Sequence, residues 1–265
     1  MLVEPGWLAV EQVTLKLPRL APAFSGFRLV QLSDIHYGDW MNRERLQQVI
    51  RLVQAQEPDL VVMTGDYLLG HVWNASVRAL LEEMVEEFRV LTAKYPTLAV
   101  LGNHDYWTNA ANVRVGLRNA GIRNISNDVH TLEKNGERFH IAGVDDIWEG
   151  HDRLDVVLDR LPEDGAAILL AHEPDFADTS AETGRFDLQL SGHSHGGQVV
   201  LPFIGAPVLP YLGWKYPSGL YRVGEMFQYT NRGVGMASIK VRFNCRPEIT
   251  VFTLQSNGEE PARSF

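Results

Sequence analysis

The sequence predicts an α/β sandwich in which two mixed β-sheets face each other and are flanked by helices. From Phe27 onward, apolar runs of strand length alternate with segments of helical periodicity, which is typical of parallel βαβ units. The pair Asn135-Gly136 lies between two strand-like segments and predicts a two-residue hairpin, which adds antiparallel strands. Short strands and turns after His195 extend the antiparallel part, so both sheets are expected to be mixed.

The chain of 265 residues is expected to form a single domain over 1–265, with a core of about 27–254. Alternating apolar and polar residues over 11–18 predict an N-terminal edge strand, and the polar residues 256–265 predict a loose tail. With 45% hydrophobic and 22% charged residues, the composition is that of an ordinary globular protein and excludes a disordered one.

The first half of the core is predicted to alternate between strands and helices. The strands are short apolar runs, and the helices carry apolar residues at spacings of three and four. Asn74 is a suitable N-cap for the longest helix, and Gly121 ends the last one. In chain order the predicted elements are strand 28–32, helix 43–56, strand 59–64, the helix after Asn74, strand 98–101 and helix 110–120.

The second half begins with the hairpin at Asn135-Gly136 and then returns to alternation. The same periodicities predict hairpin strands 129–134 and 138–143, helix 153–160, strand 167–171, a helix after Pro174 and strand 188–191. Beyond His195 the apolar runs are short and separated by turn residues. They predict the strands 197–201, 219–223, 227–230, 239–243 and 248–254.

Charge and cysteine content narrow the classes of function. A formal net charge of −9 opposes binding to polyanions, so no specific nucleic-acid partner is expected. The lone Cys245 excludes an internal disulfide and a cysteine-rich zinc site, and it suits a reducing cytosol. No apolar stretch approaches the roughly 18 residues of a membrane span. The expected location is cytoplasmic, with peripheral membrane contact as the alternative.

Five short segments rich in metal-ligand side chains each follow a predicted strand. They are Asp34-Ile35-His36, Gly65-Asp66, Gly102-Asn103-His104-Asp105, His172 and Gly192-His193-Ser194-His195. Ligands gather at the carboxyl ends of strands in α/β sheets, so these segments are expected to converge. The two oxygens of the Asp66 carboxylate allow it to bridge two ions. Imidazole, carboxylate and amide donors without thiolate suit Mn²⁺, Fe or Zn²⁺ more than Ca²⁺ or Cu(I). Mn²⁺ is the expected ion, with Fe or Zn²⁺ as alternatives.

Each segment alone has an ordinary structural interpretation. Asp and His at a strand end are most often solvated turn residues, and His172 by itself is more simply a buried, hydrogen-bonded histidine. The ordered set outweighs these interpretations, because independent accidents would not place ligand-type residues after so many separate apolar strands.

The order D-x-H, G-D, G-N-H-D, H and G-H-x-H resembles the calcineurin-like metallophosphoesterase family. The segments 196–198, 231–235 and 246–249 resemble one bacterial branch of this family, whose phosphodiesterases are often membrane-associated. The resemblance implies that Asp34, His36, Asp66 and His195 hold one ion and that Asp66, Asn103, His172 and His193 hold the other. It also implies that His104 is an acid or charge stabiliser whose ring Asp105 orients.

The activity implied by this resemblance is hydrolysis of a phosphodiester or pyrophosphate bond by a metal-bridging hydroxide. The substrate would be a small phosphorylated molecule, and a lipid-linked or nucleotide-sugar compound fits by analogy with the branch. A phosphomonoesterase with the same centre is one alternative. A non-catalytic metal-binding interaction module is the other, although such a module would be expected to lose ligands or His104, and none is missing.

Two further segments each allow two interpretations. Residues 199–217 are unusually apolar, but four prolines and two glycines prevent a spanning helix. They either pack over the core or form a hydrophobic lip beside the metal centre that contacts an acyl chain or membrane surface. Asp145-Asp146 is either a capped turn after a strand or the start of a loop on the substrate side.

Overall fold

The structure is a computed structural model that describes residues 4–70, 72–237 and 240–257. Its α-helices are α1 (Arg43–Gln54), α2 (Ala75–Thr92), α3 (Asn103–Thr108), α4 (Ala110–Asn119), α5 (Leu154–Arg160) and α6 (Ala177–Glu182). Its strands are β1 (Ala9–Lys16), β2 (Phe27–Leu32), β3 (Leu60–Met63), β4 (Thr97–Ala99), β5 (Arg123–Asn124), β6 (Asp128–Lys134), β7 (Glu137–Gly143), β8 (Ala166–Leu170), β9 (Leu188–Ser191), β10 (Gly219–Val223), β11 (Met226–Thr230) and β12 (Glu248–Gln255).

The strands form two six-stranded mixed sheets. The first has the order β1-β12-β2-β3-β4-β5, in which only the β12–β2 pair is antiparallel. The second has the order β10-β11-β9-β8-β7-β6, and its two outer pairs are antiparallel. The strand expected over 11–18 therefore corresponds to β1, at one edge of the first sheet.

The hydrophobic core has three layers. The central layer joins the inner faces of both sheets, with Leu29 and Val62 from one sheet and Ile141 and Ile168 from the other. Outside it, α1, α2 and α4 pack on the first sheet. Helices α5 and α6 cover the second. The predicted sandwich of two mixed sheets with flanking helices is thus confirmed.

The structure differs from the prediction near the ligand motifs. No strand spans 197–201; single bridges join Val199 to Phe243 and Leu201 to Gly205 instead, because Pro202 and the turn to Gly205 interrupt a ladder. In the strand predicted at 239–243, residue 239 lies outside the described residues, and the rest contributes only the bridge at Phe243. The predicted tail lies outside the described residues from 258 onward.

Helix α3 was not predicted, and it begins inside a ligand motif. Gly102 is extended at the N-cap position, and its N–H donates to the carboxylate of Asp105 at 3.0 Å. Asn103 and His104 therefore project from the first turn of a helix rather than from a loop. No helix within the described ranges is both long and apolar enough to cross a membrane.

Candidate metal centre

The five ligand-rich segments meet at one end of the sandwich. Asp34, Asp66 and Asn103 follow β2, β3 and β4 of the first sheet, and His172 and His193 follow β8 and β9 of the second. All seven predicted ligands are buried, and none is more than 5% exposed: Asp34, His36, Asp66, Asn103, His172, His193 and His195. Seven buried polar side chains in one place require partners, because burying a polar group without one costs free energy.

The ligand atoms form two principal groups. Asp34, His36 and His195 form the first, and Asp66, His172 and His193 form the second, with the ligand atoms of each group within 4.8 Å of one another. The distance from His195 Nε2 to Asp34 Oδ1 is 3.2 Å, and that from His172 Nε2 to Asp66 Oδ2 is also 3.2 Å.

Asp66 lies between the two groups. Its Oδ2 is also 3.6 Å from His36 Nε2, and His36 and Asp66 form a further group with His104. The carboxylate of Asp66 is therefore the side chain that joins the two groups of ligand atoms.

Five of these ligands have left-handed backbone conformations. The φ angles of Asp34, His36, Asp66, His193 and His195 lie between 47° and 69°. Such a conformation costs a residue with a side chain roughly 1–2 kcal/mol, and it concentrates where function requires a particular side-chain direction. The chain turns sharply at each strand end, which directs the ligands toward one another.

Two imidazole tautomers are set by backbone carbonyls. The ring of His172 bonds to the Thr64 carbonyl through Nδ1 at 2.6 Å, and that of His193 bonds to the Tyr211 carbonyl through Nε2 at 2.8 Å. A carbonyl oxygen only accepts, so these nitrogens carry the hydrogens. Nε2 of His172 and Nδ1 of His193 are then the nitrogens available to a metal, and such outer hydrogen bonds are usual for metal-binding histidines.

Three buried polar atoms of the centre have no hydrogen-bond partner within the described residues: His36 Nδ1, Asn103 Oδ1 and His172 Nε2. Buried polar atoms are normally satisfied, so such atoms call for an explanation. For Asn103 Oδ1, a common metal-binding atom, a bound cation supplies one. His172 Nε2 lies 3.2 Å from Asp66 Oδ2, so its partner is a cation or, when the ring is protonated, that carboxylate. The donor set therefore fits divalent ions.

The electrostatics also favour a cation. Burial opposes ionisation of both carboxyls, but His195 holds the pKa of Asp34, and His172 that of Asp66, well below the usual range. Burial lowers the pKa of His172, yet Asp66 outweighs burial and keeps that pKa well above its ordinary value. Without an ion, a proton on His172 supplies the positive charge that the buried carboxylates require.

His36 differs from His172 in charge. Burial, assisted by the neighbouring His104 ring, lowers the pKa of His36 to about 3. The ring is therefore neutral near pH 7 and retains a lone pair, which is the form that binds a metal.

The structure places Asp105 in a different role from the one expected. Its carboxylate accepts the backbone N–H groups of Asp66 and Tyr67, each at 2.9 Å, in addition to that of Gly102. The His104 ring bonds instead through Nδ1 to the Leu69 carbonyl at 2.8 Å. The expectation that Asp105 orients His104 is therefore wrong, because its carboxylate joins two ligand loops and the ring is held by the Leu69 carbonyl instead.

Arg242 supports the centre and was not identified from the sequence. Its side chain is fully buried, and Nη2 donates to the carbonyls of Arg232 at 2.7 Å and Gly235 at 2.8 Å. A Cβ at Gly235 would lie 2.2 Å from the Ile35 carbonyl, so this loop packs directly on the Asp34–His36 segment. Segment 231–235 in this loop resembles the bacterial branch of the family, but nothing in the sequence distinguishes Arg242 from a surface arginine.

A cavity of about 290 Å³ opens beside the centre. Its lining includes Asp66, Asn103, His104 and the two histidines of the last motif. The rest of the lining is largely apolar and includes Trp107, Trp148, Val208, Leu209 and Pro210. Within residues 4–70, 72–237 and 240–257, no lysine or arginine lines this cavity.

The apolar segment 199–217 both lines the cavity and faces solvent. Val208, Leu209 and Pro210 contribute to the cavity wall, whereas Phe203, Ile204 and Trp214 are largely exposed. Ile204 is 74% exposed and Trp214 68%. Packing over the core thus accounts for only part of the segment.

The Asp145-Asp146 segment is a capped turn and also begins a loop that reaches the cavity. Asp146 Oδ1 accepts the N–H of Glu149 at 2.7 Å, which is a capped turn. The same turn carries Trp148 into the cavity wall. Burial, together with the adjacent Glu173 carboxylate, raises the pKa of Asp146 to about 9, so the Asp146 carboxyl group is protonated near neutral pH.

Comparisons with known proteins agree with this geometry. A family described as calcineurin-like phosphoesterase matches residues 27–197. The chain is 37% identical to YkuE, an uncharacterized metallophosphoesterase of Bacillus subtilis (strain 168), over 96% of this chain and 88% of that protein. It is 32% identical to the phosphodiesterase YaeI of Escherichia coli (strain K12), over 95% and 90% of the two chains.

Two further similarities concern architecture. A transmembrane protein with metallophosphoesterase domain from Bos taurus is 32% identical over 94% of this chain, which spans 57% of that protein. The crystal structure of TT1561 of Thermus thermophilus superposes with a TM-score of 0.51 at 15% identity, covering 79% of this chain and 91% of that one. The second similarity supports the fold.

Proposed function

The chain belongs to the calcineurin-like phosphoesterase family and is a phosphoesterase, and on this premise we propose that it hydrolyses phosphodiester or pyrophosphate bonds at a binuclear metal centre. The observation that carries the proposal is the pair of buried ligand groups that meet at Asp66. A single shared carboxylate between two sets of imidazole and carboxylate donors suits two divalent ions.

The proposed ligand sets follow the two groups. Asp34, His36, Asp66 and His195 hold one ion, and Asp66, Asn103, His172 and His193 hold the other. When bound, two such ions stabilise charge on the phosphoryl oxygens and lower the pKa of the attacking water. Mn²⁺ is the proposed ion, with Fe and Zn²⁺ as alternatives; the absence of thiolate donors disfavours Cu(I).

His104 is the proposed proton donor to the leaving oxygen. The Leu69 carbonyl holds Nδ1, so Nε2 is the nitrogen that delivers the proton when the ring is charged. General-acid assistance of this kind contributes about 10²–10⁴-fold to rate. Asp105 acts indirectly, by holding the loops of Asp66 and Gly102 in place.

The cavity favours a diester over a monoester. A phosphomonoester carries more negative charge than a diester, and cationic side chains beside the metal ions would stabilise that extra charge. The cavity wall beside the centre instead presents Trp107, Trp148 and Leu209. Such a wall suits an esterified phosphate with an apolar substituent, so phosphomonoesterase activity is the second candidate.

The same wall favours a lipid-linked substrate over a nucleotide sugar, because a sugar nucleotide would leave many hydroxyl groups unpaired against apolar side chains. The proposal includes peripheral membrane contact through 199–217, supported by the exposure of Phe203 and Ile204. The transmembrane protein from Bos taurus is a relative whose name associates the domain with membranes. A cytoplasmic location is part of the proposal, since the thiol of Cys245 suits a reducing compartment.

We also propose that 1–265 forms one domain. The layer between the sheets contains Leu15 from the N-terminal strand and Leu254 from the last strand. Residues from opposite ends of the chain thus share one core, which supports a single folding unit.

The test compares hydrolysis of bis(p-nitrophenyl) phosphate with that of p-nitrophenyl phosphate in the presence of Mn²⁺. Wild type should cleave the diester faster, and Asn103→Ala should lose this activity. Asn119→Ala, a change at the exposed end of α4, is the matched control and should remain active. Hydrolysis of neither ester at full metal loading would favour the non-catalytic module, and preference for the monoester would overturn the diester assignment.

A further inference from the structure

A strained turn lies directly beside the proposed ligand His193. The N–H of Gly213 donates to the Pro210 carbonyl at 3.1 Å and closes a four-residue turn. Leu212 occupies its third position with a φ of 64°, a conformation that usually requires glycine. Strain of this kind persists only where surrounding contacts enforce it.

The turn directs a carbonyl group at the His193 ring. The Tyr211 carbonyl accepts Nε2–H of His193 at 2.8 Å, which leaves Nδ1 toward Asp66 and His172. Trp148 contacts both the His193 and the Tyr211 rings edge to face, with centroids 5.5 and 5.6 Å away. The turn therefore determines which nitrogen of His193 faces the centre.

Asp175 holds this turn from the opposite side. Its carboxylate accepts the N–H groups of Trp214 and Lys215, each at 3.0 Å. Its own N–H donates to the carbonyl of the strained Leu212 at 3.0 Å. Asp175 lies three residues after His172, so one loop supplies both a proposed ligand and the support for another.

We propose that Asp175 is a positioning residue for the second metal ion: it holds the 210–213 turn so that the Tyr211 carbonyl fixes the tautomer and orientation of His193. This inference rests on the proposed function, because it takes His193 as a ligand. Outer partners of metal-binding histidines typically change metal affinity by about 10–100-fold when they are lost. Loss of the Asp175 carboxylate is expected to weaken the binding of one of the two ions by that factor.

The experiment uses Asp175→Ala with Asp178→Ala as the matched control. Asp178 lies one turn further along, and it bonds to the side chains of Lys215 and Tyr216 rather than to the backbone of the turn. Calorimetric titration of the metal-free proteins with Mn²⁺ should show two sites in wild type and in Asp178→Ala. In Asp175→Ala, one site should weaken about 10–100-fold while the other keeps its wild-type affinity.

A second readout needs no metal. The ¹⁵N chemical shifts of the His193 ring should report the Nε2–H tautomer in wild type and in Asp178→Ala, and a mixture of tautomers in Asp175→Ala. If Asp175→Ala does not fold, Asp175→Asn is used instead. It retains one acceptor oxygen and the backbone bond to Leu212, so its effects should be smaller and in the same direction.

The outcomes separate this inference from the proposed function. Wild type that binds none of Mn²⁺, Fe²⁺ and Zn²⁺ would defeat the proposed function. Wild type with two sites, together with a folded Asp175 variant that has unchanged affinities and an unchanged tautomer, would overturn the positioning role alone. Equal weakening of both sites, accompanied by a lower melting temperature, would show a general structural role and would also overturn it.

Discussion

Nδ1 of His104 lies 2.8 Å from the carbonyl oxygen of Leu69, in the loop after β3. A carbonyl cannot donate, so Nδ1 carries a hydrogen and Nε2 is left for proton transfer. Gly70 leaves room for this contact, because a Cβ there would lie 2.6 Å from Nδ1 of His104. The ring also packs against Trp107 of the cavity wall, with centroids 4.6 Å apart. The proposed acid is therefore held by the loop after one strand and the helix after another.

His104→Gln should lower hydrolysis of diesters most when the leaving alcohol is weakly acidic. An alkyl leaving group requires the proton, so its rate should fall about 10²–10⁴-fold. A p-nitrophenolate leaving group requires it much less. The measurement is kcat for a series of diesters against the pKa of the leaving alcohol. An equal loss across the series would contradict a role as general acid.

Gly102→Ala should disrupt the centre without changing a ligand. The added Cβ would lie 2.4 Å from Asp66 Oδ1 and 2.7 Å from His172 Nε2, so both side chains must move. Displacement of catalytic groups by about 1 Å costs about 10²-fold in rate. The checks are bound Mn²⁺ per chain and diester hydrolysis. Gly6→Ala is the control, since its Cβ would meet nothing within 4 Å. Normal metal content and a normal hydrolysis rate in Gly102→Ala would refute the close packing of Gly102 against Asp66 and His172.

Mn²⁺ binding should release a proton near neutral pH. Burial lowers the pKa of His172, but Asp66 keeps it well above the usual value, so the ring is charged in the metal-free protein. The ion requires neutral Nε2, and its affinity should therefore rise with pH up to the pKa of His172. His36, with a pKa of about 3, contributes no proton.

The same raised pKa stabilises the metal-free protein below the unfolded pKa of histidine, and this stabilisation is lost as the pH rises through the folded pKa. Proton release is measured by calorimetry in buffers with different ionisation enthalpies. Identical binding enthalpies in all buffers would show that no proton is released.

Asp105→Ala should destabilise the fold as well as the centre. It would remove the acceptor of three buried N–H groups, those of Asp66, Tyr67 and Gly102. An unsatisfied buried donor costs about 1–3 kcal/mol, so the free energy of unfolding should fall by about 3 kcal/mol or more. Urea denaturation of the metal-free protein measures the change. Asp155→Ala, at an exposed position, should change it little. Equal stability of the two variants would contradict this account.

The paired change Phe203→Ser and Ile204→Ser should weaken vesicle binding. Burying a large apolar side chain contributes about 1.5–3 kcal/mol, so the loss of two should lower the partition coefficient about 100-fold or more. Co-sedimentation with phosphatidylcholine vesicles measures it, because a neutral surface does not repel an acidic chain. Hydrolysis of bis(p-nitrophenyl) phosphate should be unchanged. Leu220→Ser, at an exposed position on β10, is the control. Undiminished vesicle binding by the paired variant would remove the case for membrane contact through this segment.

Most of the fold could be predicted because apolar periodicity is a local property. The predicted strand 188–191 matches β9, and the hairpin at Asn135-Gly136 joins β6 to β7. The prediction of secondary structure was wrong where the backbone conformation differs from the one that the local residue pattern indicates. Residues 197–201 have the composition of a strand but form turns, and α3 was missed because a capping glycine followed by ligand residues resembles a loop.

The sequence by itself determined the order of the elements and placed ligand-type side chains after Leu32, Met63, Ala99, Leu170 and Ser191, where β2, β3, β4, β8 and β9 end. Those features depend on residues close together in the chain. Only the tertiary structure decided that Asp105 joins two loops, that Leu69 orients His104 and that Tyr211 orients His193. These are hydrogen bonds to backbone groups, and a carbonyl or N–H has the same chemistry in every residue except proline. Its role therefore depends on where the fold brings it and not on which amino acid carries it.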